Sequence, residues 1–199
     1  MCQFLETIKC LDGKLFHLSW HNYRMNRTRN EALGISEEID LAKHIEIPRN
    51  CHSGLFRCRV TYTQKIEKIE FLSHTYRKIK SLKLVRNDEI DYHLKYANRI
   101  ELQRLYEKKE NCDDILIIKN GCVTDSFTAN PVFFDGEKWW TPNTPLLKGT
   151  QRERLLNENK IVSCKITPET ISKYKKVGLI NTMQDFENMP LISVRNIKF

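Results

Sequence analysis

Lys95 and Asn98 stand three residues apart, as do His21 and Arg24, while Asp125 follows Thr124, Gly149 precedes Thr150 and Gln151, and Asn181 precedes Thr182. Each of these residue types can do chemistry. A lysine amine is a nucleophile, and it is a base at neutral pH where burial or nearby cationic charge lowers its pKa. An arginine offers a planar fork of donors that meets phosphate oxygens in pairs and stays charged at physiological pH. A helix N-terminus leaves backbone N–H groups unpaired and favours an anion, and a glycine such as Gly149 lets the backbone come close to it. Taken singly, each residue also has a plainer reading. Lys95 and Arg24 suit a helix surface, Asp125 a turn, and Gly149 an ordinary helix cap.

The elements that must position these residues follow from periodicity. Phe4 to Cys10 reads as a strand, and Asp12-Gly13 as a hairpin turn into Leu15-Phe16-His17. Ser19 is a plausible N-cap for a helix through about Leu33, which Gly34 ends. Glu37 to Ile45 repeats the helical period before Pro48. Leu55 to Leu72 shifts to period two and predicts a strand pair. The Lys/Arg-rich stretch that follows suits a connection, so a small lobe is expected over 1–75, a linker over 76–87 and a larger lobe over 88–199. The second half is expected to hold a helix from about Tyr92 to Lys109 and a strand from Asp113 to Lys119, turned at Asn120-Gly121. A strand pair across Asp135-Gly136, a helix from Gly149 to about Asn159 and a strand from Ile161 to Ile166 come next. A helix capped at Thr167 with Pro168 at its first position and two closing strands end the chain. The class is α+β.

Composition narrows the function. With 199 residues, 40% hydrophobic and 29% charged, the chain has the makeup of an ordinary folded protein. No run approaches a membrane span and no signal segment is seen, so a cytoplasmic protein without membrane contact is expected. The seven cysteines include no C-x-x-C pair, which argues against a metal site or a disulfide framework. The net charge of +8 raises nucleic-acid binding as a class. The basic residues are spread along the chain, however, and lack a stacking motif, so attraction of a phosphorylated cofactor and an anionic small substrate accounts for the charge without a polynucleotide.

Five segments in order resemble one family. His93-Leu94-Lys95-Tyr96-Ala97-Asn98-Arg99 is similar to the K-x-x-N lysine segment of class IV aminotransferases and aminodeoxychorismate lyases, with Arg99 in the lyase-like form. His21-Asn22-Tyr23-Arg24-Met25 resembles their H-x-x-R-L segment. The run Gly121-Cys122-Val123-Thr124-Asp125 through Asn130 resembles G-x-V-T-E-x-x-x-x-N. Leu147-Lys148-Gly149-Thr150-Gln151-Arg152 resembles L-x-G-I-T-R, and Asn181-Thr182-Met183 with Met189-Pro190 resembles the closing segment. The resemblance implies a two-lobed fold type IV enzyme like D-amino-acid aminotransferase. Its small lobe is shortened, because Phe4-Leu5-Glu6-Thr7 matches a strand that a strand pair usually precedes.

The resemblance further implies pyridoxal 5'-phosphate as cofactor, carried by Lys95, which also moves the substrate proton. Arg24, Gly149, Thr150, Gln151, Asn181 and Thr182 are implied for the phosphate, Asp125 for the pyridine nitrogen, and Asn98 belongs to the lysine motif. Asp125 is one methylene shorter than the usual Glu, which bears on the strength of the electron sink. Pro131 follows Asn130 where an N–H is usual, so that strand must begin there or lie at an edge. The expected reaction is 4-amino-4-deoxychorismate lysis to pyruvate and 4-aminobenzoate by a homodimer acting on a small anionic amine. The alternatives are an aminotransferase of the branched-chain or D-amino-acid type, a cofactor-free binding protein, and an RNA-binding module.

Overall fold

A computed structural model describes residues 2–199. The chain divides into two compact units. One comprises the chain through Tyr76 together with Leu94–Asn98, and the other comprises Arg77–His93 and Arg99–Phe199.

In the first unit β1 (Phe4–Leu11) turns through Asp12 and Gly13, both at positive φ, into the short β2 (Lys14–Leu15). The helix α1 (Leu18–Leu33) follows, with His17 rather than Ser19 at its N-cap. Gly34 closes α1 at φ 69°, its N–H returning to the carbonyls of the last turn. The strands β3 (Leu55–Tyr62) and β4 (Ile66–Ser73) complete an antiparallel sheet in the order β2-β1-β3-β4. Phe4, Ile8, Cys58, Val60 and Tyr62 from the sheet, Met25 from α1 and Leu41 form its buried core. The helix predicted over Glu37–Ile45 is absent save for a 3-10 turn at Leu41–Lys43. Its backbone bonds run to α1 instead. Asn26 accepts from the Ile39 N–H and donates to the Ile39 carbonyl, and Asn22 accepts from the Leu41 N–H.

In the second unit β5 (Leu82–Arg86) lies within the predicted linker and pairs in parallel with β6 (Asp114–Lys119). Leu82 and Val85 are buried, so that stretch is a core strand and not a connection. The helix α2 occupies only Ile100–Glu107, well short of the predicted start at Tyr92. Bends and one isolated bridge at Tyr96 replace the missing turns, and the Tyr96 N–H bonds back to the Leu94 carbonyl at 2.9 Å, a tight turn centred on Lys95. Leu5 N–H bonds to the Lys95 carbonyl and Ala97 N–H to the Gln3 carbonyl, so Leu94–Asn98 runs beside β1 and belongs to the first unit. Lys95 therefore does not head a helix.

The short β7 (Cys122–Val123) turns back on β6. Then come β8 (Asn130–Phe134), β9 (Trp139–Pro142), α3 (Thr150–Asn157) and β10 (Val162–Cys164). The predicted helix at Thr167 is a 3-10 turn, Pro168–Lys173, closed by a Thr167–Thr170 capping box. Three closing strands follow where two were expected, β11 (Lys176–Ile180), β12 (Leu191–Ser193) and β13 (Ile197–Lys198). They complete two sheets, β10-β9-β8-β11-β12 and β13-β5-β6-β7. Leu116, Ile118, Phe133, Val177 and Ile192 form the core shared by these sheets, and Leu155 of α3 packs in a second cluster with Val132 and Ile180. Pro131 sits at the second position of β8, outside the rungs that β8 shares with β9, where its missing N–H breaks no bond of that ladder.

Candidate active site

The candidate residues fall into two groups, each within one unit. In the first unit Glu6 points from β1 into α1 and is fully buried. Arg24 meets it with two parallel bonds, Nε to Oε1 at 2.8 Å and Nη2 to Oε2 at 2.5 Å. His21 Nδ1 lies 2.6 Å from Oε2 of the same carboxylate. Residues 21 and 24 lie one turn apart on α1, which brings both onto one carboxylate. Burial alone would raise the Glu6 pKa, but Arg24 and His21 override it and hold the carboxyl down at about 2. Burial lowers the His21 pKa, a change that Glu6 opposes and that the charges of Arg24 and Lys95 reinforce. Lys95 is half-buried and close enough for its charge to be felt at His21. Asn98 ends the same segment and is exposed.

Glu6 and His21 are functional candidates that the motif reading left without a role. The signal for Glu6 was present. An acid occupies an inward position of β1, between Phe4 and Ile8, where alternation calls for an apolar side chain.

The second unit gathers the other group at one end of β8. The backbone of Asp125 is fixed to β6, the Ile117 N–H donating to its carbonyl at 2.8 Å. Its carboxylate accepts from Asn130 Nδ2 at 2.8 Å and from the Leu147 N–H at 2.9 Å. Asn130 also donates to the Leu147 carbonyl at 2.9 Å, so one amide ties the Asp125 turn to the loop ahead of α3. Gly149, the N-cap of α3, must be glycine because a Cβ there would lie 2.2 Å from Asn130 Oδ1. Thr150 and Gln151 follow in the first turn of α3 and are buried. Ile180 of β11 pairs with Asn130, which sets Asn181 just past that rung. Asn181 accepts from the Met183 N–H at 2.9 Å and makes a tight turn around Thr182.

The electrostatics of Asp125 bear on what this group can hold. Burial raises its pKa to about 7, despite the bonds from Leu147 and Asn130 and the charge of Arg152. Three bonds, from Leu147, Asn130 and Leu146, still leave a lone pair on the carboxylate for a further donor. A protonated aromatic ring nitrogen is a partner of the right charge, since it would restore the ionised form. The N-terminus of α3 with its obligatory glycine suits a phosphate. The residues present therefore fit pyridoxal phosphate. No cluster of His, Cys, Asp or Glu fit for a metal ion occurs among the described residues. None of their helices is long and apolar enough to cross a membrane.

Comparisons with known proteins agree with this chemistry. The family model for class IV aminotransferases matches residues 3–197. An uncharacterized protein of Haemophilus influenzae is 36% identical over 185 residues, covering 92% of this chain and 98% of that one. The crystal structure of a candidate 4-amino-4-deoxychorismate lyase from Haemophilus somnus 129PT aligns with TM-score 0.86 and 34% identity over 92% of this chain and 97% of that one. A hypothetical aminotransferase of Mycobacterium tuberculosis in its pyridoxal-phosphate-bound form shares the fold, with TM-score 0.76 and 12% identity over 96% of this chain and 80% of that one.

Proposed function

Because the chain belongs to the class IV aminotransferase family of pyridoxal-phosphate enzymes, we propose that it is a 4-amino-4-deoxychorismate lyase in which Lys95 bears the cofactor. The observation that carries the cofactor assignment to named residues is the buried Asp125 carboxyl, fixed by Asn130 and Leu147 and held near neutral pKa until a cation faces it. When bound, the cofactor supplies a sink for the electron pair left as the substrate carbon loses its proton.

The chain's own residues do the rest. Lys95 Nζ takes the proton from the substrate carbon. Arg24, kept in one orientation by Glu6, and the N–H groups of Thr150 and Gln151 bind phosphate, with Asn181 and Thr182 as further donors. Asn98 keeps the lysine segment in place. Asp125 holds the ring nitrogen in its protonated form.

The lyase is preferred over an aminotransferase of the branched-chain or D-amino-acid type for two reasons. Arg99 follows Asn98 in the lyase-like manner, and the Haemophilus somnus relative carries that name. Elimination driven by aromatisation also tolerates a weakened electron sink, such as a shortened acid gives, better than reversible amino transfer does. A homodimer in the cytoplasm, acting on a small anionic amine and without nucleic acid, belongs to the same reading. Seven cysteines without a disulfide support a reducing compartment.

Incubation with aminodeoxychorismate should release pyruvate and 4-aminobenzoate in equal amounts. Asp125→Glu should change that turnover by less than about tenfold, or about 1.4 kcal/mol of barrier. Rapid amino transfer to 2-oxoglutarate with no pyruvate formed would assign the chain to the aminotransferases.

A further inference from the structure

Between Asp125 and Asn130 the chain makes a turn that is anchored at Phe127. Ser126 and Ala129 close it, the Ser126 N–H donating to the Ala129 carbonyl at 2.8 Å and the Ala129 N–H to Ser126 Oγ at 3.1 Å. Phe127, inside the turn, is held at three points. Its N–H donates to Oδ1 of the buried Asp114 at 3.3 Å. Its carbonyl accepts from Arg99 Nη2 at 2.6 Å, and the same guanidinium lies 4.6 Å from the centre of its ring. Tyr106 stacks on that ring at 4.3 Å.

Arg99 is placed to act as a fixed arm. It is the N-cap of α2, and the Gln103 N–H donates to its carbonyl at 2.8 Å, so the helix holds its backbone. Tyr106 follows seven residues later, about two turns on, which puts both side chains on one face of α2. A charged donor bonds a carbonyl more strongly than a neutral one, and a cation over an aromatic ring adds to that attraction. The Thr124 N–H and the Asp125 carbonyl tie the chain to Ile117 of β6. From there to Asn130 no residue belongs to a strand, so the contacts at Phe127 decide where the turn lies.

We propose that Arg99 is a positioning residue for the Asp125 carboxylate, a role that rests on the reading of Asp125 as the partner of the pyridine nitrogen. By fixing Phe127 it sets the spacing between Asp125 and Asn130. Asn130 Nδ2 donates to the Asp125 carboxylate at 2.8 Å, so a displaced turn moves the acid and its donor apart. With one methylene fewer than Glu, Asp125 also has one torsion fewer with which to correct a displaced backbone.

The probes are pyridoxal phosphate and 1-deazapyridoxal phosphate, in which a C–H replaces the ring nitrogen, each titrated calorimetrically into the full chain freed of cofactor. The parent protein should prefer pyridoxal phosphate by about tenfold or more. Arg99→Met should weaken pyridoxal phosphate binding by about tenfold and that of the analogue by less than about twofold. Arg99→Lys, which keeps the charge and a donor, should stay within about threefold of the parent for both. Arg104→Met, an equal loss of charge at an exposed position of α2, should change neither by more than about twofold. Melting temperature reports the folding of each variant. If Arg99→Met does not fold, Phe127→Leu, which keeps the carbonyl and loses the ring contacts, is read in the same way. Equal weakening of both probes would show that Arg99 acts through stability alone and would overturn the proposal. A preference undiminished in Arg99→Met would overturn it too, and leave the Asp125 reading standing. A parent protein that binds both probes equally would overturn the Asp125 reading and the positioning role with it.

Discussion

At the residue scale two buried carboxylates behave in opposite ways, and the difference is measurable. Glu6 is ionised because Arg24 and His21 face it. Arg24→Ala should therefore destabilise the protein by about 3 kcal/mol or more, the cost of leaving a buried charge alone, whereas Arg27→Ala should cost under about 1 kcal/mol. Pairing Arg24→Ala with Glu6→Gln should recover part of the stability but none of the cofactor affinity, as read from melting and pyridoxal-phosphate titration. Affinity that recovered together with stability would mean that Arg24 acts only through the fold. At Asp125 burial outweighs the charge of Arg152, and its pKa rises from 3.8 to about 7. Between those values the native state holds a proton that the unfolded chain has released. This contribution to stability is therefore full below about pH 4 and is lost as pH rises toward 7. Glu6, lowered from 4.5 to about 2, contributes above 4.5 and is lost as pH falls toward 2. Cofactor-free protein should lose stability from pH 5 to 7, by about 3 kcal/mol at most from Asp125. Asp125→Ala should flatten that slope. An unchanged slope in the variant would show that other groups set it.

At the element scale the Asn130 amide couples three pieces of chain, the Asp125 turn, β8 and the start of α3. Gly149→Ala should force that amide aside, costing about 2 kcal/mol and weakening cofactor binding. The same substitution in an Asn130→Ala background should cost much less. Additive costs in a double-mutant cycle would show that the two sites are independent. Much of this was legible in the sequence, because hairpin turns such as Asp12-Gly13 and Asn120-Gly121, the strands they join, and the Thr124-Asp125 and Gly149-Thr150 segments are local signals. What escaped depends on partners far along the chain. The helix expected from about Tyr92 begins only at Ile100, because the backbone bonds of the segment before it go to Gln3 and Leu5. The Glu37–Ile45 helix failed because Asn22 and Asn26 of α1 take its backbone groups. The basic stretch before Asn87 hid β5, since Lys83 and Arg86 obscure the buried Leu82 and Val85. The Arg24–Glu6 pair could not be seen at all without knowing that β1 and α1 pack together.

At the scale of the whole molecule the assignment is one of distributed parts. Lys95, Arg24 and its buried partner Glu6 lie in the first unit, and Asp125 and the α3 N-terminus lie in the second. The net charge of +8 has the sign that attracts an anionic cofactor. The proposed function depends on the cofactor being joined to Lys95, a residue in a tight turn beside β1 that its sequence neighbours disguise as helical. The direct measurement is borohydride reduction of the protein loaded with pyridoxal phosphate, followed by proteolysis and peptide mass analysis. The account predicts loss of the visible band and a phosphopyridoxyl group on the peptide containing Lys95, with no other lysine labelled stoichiometrically. Stoichiometric labelling of a different lysine, or a protein that stays colourless and unlabelled after loading, would contradict it.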